Sequence, residues 1–383
     1  MDKKQEIIPV NSSIKPKIGK DILELLTSGM YLNPLVLFRE YIQNSVDSID
    51  QALEENILQD VSDAEIQINL DHQNRTILII DNGKGIPNDQ FEDTMLSLGD
   101  SKKKGTTARG MRGVGRLAGL GYCQSLIFRS SSPEDDYIFE AKWDCRKIKS
   151  LLNGNNTLDL VALLEEVVSF KKIKNYLGRP HFFEVEIQKP VRLKWDLLMN
   201  ENRIREYLSQ VAPVPFSNDF SFKRDLEKTI KKDDRNYRYY KIVIKLAEME
   251  LELDDQPNSF QIFKPYADSF FLNTTLSDSV HSFESIKIMG MDGETAAVGW
   301  ILHGSYMGAI PNKALIGGLR ARVGNIMIDD KNLFRDCFSE ARFSSWTMGE
   351  IHVLDNRIIP NGRRDGFEEN THYENMRNYI SLT

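Results

Sequence analysis

The chain has 383 residues, of which 41% are hydrophobic and 27% charged, and a formal net charge of −7. That is a globular balance with room for two or three domains; the acidic surplus disfavours nucleic acid as the default partner, and no apolar run is long enough to span a membrane. Three cysteines, Cys123, Cys145 and Cys337, without a CxxC spacing read as reduced thiols of a cytoplasmic protein, not as a disulfide framework or zinc site.

The opening MDKKQEIIPV has no apolar core, so it is not a signal peptide, and residues 1–16 read as a polar arm. A helical pattern begins near Lys20 and stops at Ser28-Gly29. A second helix is predicted from about Pro34 to Leu53. Within it Glu40, Asn44 and Asp47 stand at i, i+4 and i+7, so they fall within roughly 60° of one another on one face. Phe38, Ile42, Ser45, Val46 and Ile49 occupy roughly the opposite side. Alternation at Ile66, Ile68 and Leu70 predicts a strand, and the apolar run Ile77–Ile80 predicts another. Asp81-Asn82-Gly83 then breaks the chain into a turn that includes Gly85.

Residues 97–121 are rich in Gly, Ser, Lys and Thr and are expected to form a long mobile loop. Its glycines, Gly110, Gly113, Gly115, Gly119 and Gly121, can present bare backbone N–H groups to an anion at a helix start. No GK[ST] closes the loop, so it is not a P-loop. Strands are expected at 125–130, 137–143 and 181–187. Pro213, Pro215 and Ser217-Asn218-Asp219 mark a break, and the stretch KRDLEKTIKKDDRNYR reads as a solvated helix or linker. The domains expected are 1–217, a linker at 218–236, and a second unit at 237–383.

Taken singly, these segments are also what a wet helix face, a surface turn and a flexible loop look like. Their order and spacing resemble the motif set of the GHKL ATPases (gyrase, ninety-kilodalton chaperone, histidine kinase, MutL). Several stretches resemble the ninety-kilodalton heat-shock chaperones of the HtpG type: YLNPLVLFREYIQNSVDSID, YLSQVAPVPF, GLRARVGNIMIDD and GEIHVLDNRIIPNGRRDGF.

The resemblance implies an α+β fold: a Bergerat-type α/β sandwich, with helices over a mixed, mainly antiparallel sheet, followed by a second α/β middle domain. It implies slow hydrolysis of ATP to ADP with Mg²⁺ as cofactor. By analogy Glu40 orients or deprotonates the attacking water, Asn44 coordinates the Mg²⁺, and Asp81 takes the adenine amine with Gly83 and Gly85 beside it. Asp47 supports the helix face and the adenine end. Lys102, Gly110, Arg112, Gly113, Val114 and Gly115 belong to a lid over the phosphates, and Arg364, with Arg363 as alternate, reaches the γ-phosphate from the second domain after that domain swings in. A nucleotide-dependent homodimer, with client or partner proteins, follows from the same resemblance.

One departure stands out. The family's threonine beneath the adenine has no counterpart in Gly178-Arg179-Pro180-His181-Phe182, where His181 reads as an ordinary partly buried histidine. A self-contained histidine kinase needs an upstream phosphoacceptor, yet the first histidine is His72. The alternative reading is a DNA-associated clamp of the MutL or MORC type, to which SLGDSKK is also similar. Such clamps bring a lysine to the γ-phosphate and need a basic surface. A module that only senses nucleotide would not need Glu40.

Overall fold

The structure is a computed structural model and describes residues 33–97, 115–153, 159–175, 178, 180–247, 258–328 and 330–382. The arm, the first predicted helix and most of the glycine-rich loop lie outside the described residues. Two sheets organise the rest. The first has eight strands: β1 Glu65–Asp71, β2 Thr76–Asp81, β3 Ser125–Ser131, β4 Tyr137–Asp144, β5 Val168–Lys174, β6 Phe182–Gln188, β7 Lys241–Leu246 and β8 Ser259–Gln261. Their order is β5-β4-β3-β6-β2-β1-β7-β8. All neighbours are antiparallel except β1 and β7, the mixed, mainly antiparallel sheet expected from the sequence.

Helix α1, Val36–Glu54, lies against this sheet through Phe38, Ile42, Val46 and Ile49, all essentially inaccessible. The polar face of α1 is not wet. Glu40 and Asp47 are buried too, and only Asn44 on that face is half-exposed. Buried carboxylates on a helix need partners or a ligand. Helices α2 Asn88–Leu96, α3 Cys145–Asn153, α4 Leu160–Val167 and α5 Glu201–Val211 complete the unit.

The second sheet has the order β13-β12-β14-β11-β10-β9. Its strands are β9 Ser269–Phe271, β10 Ser277–Met289, β11 Thr295–Gly304, β12 Gly318–Val323, β13 Ile326–Ile328 and β14 Met348–Val353. One face packs against α6, Lys223–Asp233, and the other against α7, Thr371–Leu382.

Three expectations are adjusted. Of the two readings of the charged stretch after residue 218, solvated helix or linker, the helix is the one present, but one of its faces is not solvated. Leu226 and Ile230 of α6 are fully buried in the second core, four residues apart on one face, and the charges form the other face. Nor does the second unit begin at 237: β7 pairs in parallel with β1, so the chain returns to the first sheet before entering the second. The loop expected over 97–121 also ends early, because Gly115–Tyr122 is a 3₁₀ helix that buries Leu117, Ala118 and Leu120.

Candidate functional site

Three segments predicted from sequence meet where α1 crosses the end of β2. Asp81 ends β2 and is 2% exposed. The Gly83 N–H donates to its Oδ1 at 2.9 Å, while Oδ2 is buried with no hydrogen-bond partner. Burial pushes this carboxyl up to about 7, against the opposing pull of the Ser45 hydroxyl, the Gly83 N–H and the Ser48 hydroxyl. A buried acceptor oxygen left empty is costly unless something fills it. The turn that follows is pinned from α1: the Lys84 N–H donates to the Ser48 carbonyl at 3.1 Å. Gly85 has φ +72°, and a Cβ there would collide with the Ser131 carbonyl, so only glycine suits it. The Ile86 N–H donates to Ser130 Oγ at 2.7 Å.

At the other end of the helix face, the Glu40 carboxylate is 3.1 Å from the Arg39 guanidinium, both buried. It also lies against the first described residue of the lid, since a Cβ on Gly115 would sit 2.5 Å from Glu40 Oε2. The 3₁₀ helix is fastened to α1 by one side chain. Tyr41 donates to the Arg116 carbonyl at 3.1 Å and accepts from the Gly119 N–H at 2.9 Å. Asn44 is half-buried and shares by helical spacing the side of α1 that carries Glu40 and Asp47.

The expectation that the arginine pair stands away from the site until a domain swings does not describe this structure. Arg39 Nη2 also donates to the Arg363 carbonyl at 3.1 Å. The 361–366 loop is therefore already seated one residue from Glu40. The Arg363 side chain is exposed, and Arg364 has φ +57° in the turn. Lys102, Gly110, Arg112, Gly113 and Val114 lie outside the described residues.

Sequence reading missed Arg39, Tyr41, Ser48, Ser130 and Ser131, and it undervalued His181. Arg39 adjoins a motif residue, and Ser48 falls one helical turn beyond Asn44; those positions were the available signals. His181 is half-buried, and its Nδ1 lies 2.7 Å from the Gly83 carbonyl. It is part of the Asp81 turn rather than a bystander.

With this geometry in view, comparison with known proteins gives the class. Residues 35–175 match the sequence profile of the family described as Histidine kinase-, DNA gyrase B-, and HSP90-like ATPase. The matched segment holds β1 to β5 of the eight-stranded sheet, and over that part the chain is similar to the GHKL ATPase class. The curated relatives are proteins named Chaperone protein HtpG. One from Buchnera aphidicola is 38% identical over 92 residues, covering 23% of this chain and 14% of the relative. One from Clostridium acetobutylicum is 29% identical over 141 residues, covering 32% of this chain and 23% of the relative. One from Fusobacterium nucleatum is 30% identical over 131 residues, covering 30% and 22%. The matched part of the chain thus spans less than a quarter of these relatives' length. Among the described residues no helix is long and apolar enough to cross a membrane.

Proposed function

We propose that the chain binds ATP with Mg²⁺ in this cleft and hydrolyses it slowly, as a chaperone-like ATPase that couples nucleotide to the position of its second domain. The observation that carries the reading is Asp81: a buried carboxylate whose Oδ2 makes no well-aligned hydrogen bond, although the Ser45 and Ser48 hydroxyls lie beside the group, in a turn that a side chain at Gly85 would block. The exocyclic amine of adenine is the donor that chemistry calls for. Asn44 offers one amide oxygen, which suits a cation that arrives on the phosphates and keeps most of its ligands from them and from water. When bound, Mg²⁺ would neutralise phosphate charge; the chain's own residues do the rest. Glu40, held by Arg39, orients the attacking water and takes its proton. The lid beginning before Gly115 encloses the phosphates and excludes solvent.

The bond from Arg39 to Arg363 brings an arginine-bearing loop, not a lysine, beside Glu40. This favours the chaperone-like reading over a DNA clamp. It also changes the form that coupling takes. On this reading an arrangement with the 361–366 loop beside Glu40 is the closed one, and ATP favours it only through contacts that an open arrangement lacks. Small-angle scattering should show the nucleotide-free protein extended relative to the protein with Mg²⁺ and a non-hydrolysable ATP analogue. ADP should not substitute, and Arg363→Ala/Arg364→Ala should abolish the compaction. Equal compaction with ADP, or compaction untouched in the double variant, contradicts the coupling. Sedimentation of the same samples tests an ATP-dependent dimer, which the polar arm 1–16 is proposed to join as an added strand.

A further inference from the structure

His181 stands where the sequence departs from the motif set, and the structure gives it a definite contact. A carbonyl oxygen can only accept, so the 2.7 Å approach of Nδ1 to the Gly83 carbonyl means that Nδ1 carries a proton and donates it. The same residue's N–H donates to Asp81 Oδ1 at 2.9 Å. Gly83 is therefore held on both sides: its carbonyl by an imidazole 98 residues away in sequence, its N–H by the carboxylate beside the empty Oδ2. These two groups sit on successive peptide planes joined at the glycine; the second plane is also tied through the Lys84 N–H to the Ser48 carbonyl, and together these bonds restrict a rotation that glycine would otherwise allow.

We propose that His181 is a positioning residue for the nucleotide base. By restraining Gly83 from its carbonyl side, alongside the Lys84–Ser48 bond, it steadies the N–H that holds Asp81 Oδ1, aims Oδ2 at an exocyclic amine, and so sets the preference for adenine over guanine. Guanine offers a carbonyl at the corresponding position, which a carboxylate repels. This inference rests on the ATP-site reading above.

The test measures affinities for MgATP and MgGTP by calorimetry on the parent, His181→Ala and His181→Asn. The asparagine amide can place a donor near where Nδ1 stands. The parent should prefer ATP. His181→Ala should weaken ATP binding by about tenfold, the loss of one well-aligned hydrogen bond, and GTP binding by much less. The ATP:GTP ratio should therefore fall. His181→Asn should recover most of the ratio. A ratio unchanged in His181→Ala, or an equal loss for both nucleotides that asparagine does not recover, overturns the inference and leaves the ATP site standing. A parent that binds neither nucleotide removes the site reading and the inference with it.

Discussion

Glu40→Ala is expected to bind MgATP with near-parental affinity and to release phosphate at least ~100-fold more slowly, because a carboxylate acting on water contributes in the transition state and little in the ground state. Glu40 is 7% exposed, paired with Arg39 and set against Gly115. Its carboxylate thus faces the start of the 3₁₀ helix at Gly115 rather than the Asp81 turn. Removing it leaves Arg39 its bond to the Arg363 carbonyl, so the docking of that loop survives. Single-turnover phosphate release beside equilibrium titration separates the two effects. Parental turnover in Glu40→Ala would take the residue out of the mechanism, whereas parallel losses of affinity and turnover would make its role structural.

Glu350→Gln is expected to destabilise the protein by about 3–5 kcal/mol, the cost of removing the one carboxylate from a buried charge cluster. Lys264 and Arg322 pair with Glu350 at 2.5 and 2.7 Å, and His352 and Tyr266 each approach it at 3.3 Å. Arg320 beside them bonds only to neutral groups: the Tyr266 hydroxyl, the Leu315 and Ile316 carbonyls and Gln210 Oε1. All of these charged side chains are essentially inaccessible, so the variant strands the two cations paired with Glu350, Lys264 and Arg322, beside the Arg320 charge. Gln210 lies in α5 and accepts from Arg322 as well, at 2.7 Å; the cluster therefore joins the two units. Lys264→Met should cost much less. Burial, helped by the Arg322 charge, already brings that amine down to about 7 despite Glu350, and removing it lowers the positive surplus. Chemical denaturation of both variants checks the ordering, and a Glu350→Gln protein as stable as Lys264→Met would refute the cluster's role.

The same cluster gives a pH direction. Burial lowers His352 to about 4 from an ordinary value near 6.5. The unfolded chain therefore binds the extra proton between those values, and stability falls as pH drops from 6.5 towards 4. Glu350 acts in the same sense. Burial alone would raise it, but Arg322 and Lys264 hold it well below the carboxylate range. Its contribution is present above 4.5 and is lost as pH falls through its folded value.

How much of this was legible in the sequence depended on whether the signal was local. Glu40, Asn44 and Asp47 announce a shared face because helical spacing alone fixes it. Asp81, Gly83 and Gly85 announce a turn because an apolar strand stops there. The contacts that complete the site are not local. His181 reaches Gly83 only because β6 runs beside β2, with Asp81 opposite Phe183, and Ser130 reaches Ile86 only because β3 lies on the far side of β6. The domain division failed for a related reason. KIVIKL reads as a strand wherever it falls, and nothing in its own residues says that it pairs with β1 rather than with the sheet that follows. Arg320 and Arg322, read as part of a chaperone-like segment, gave no sign of burial, because Glu350, the partner of Arg322, stands in β14, a strand distant in sequence.

The most direct measurement of the central claim is a calorimetric titration of MgATP into the parent and into Asp81→Asn, repeated between pH 6 and 8. In the variant the amide oxygen is claimed by the Gly83 N–H, leaving an NH₂ to face the adenine amine. Affinity should fall by about tenfold or more, the cost of opposing two donors in a buried site. In the parent, burial raises Asp81 to about 7, and the amine needs the ionised form. ATP affinity should therefore rise with pH across that window, with a proton released on binding at the acid end and no such slope in the variant. An Asp81→Asn protein that binds MgATP as tightly as the parent, or a parent that binds none, contradicts the assignment of this cleft.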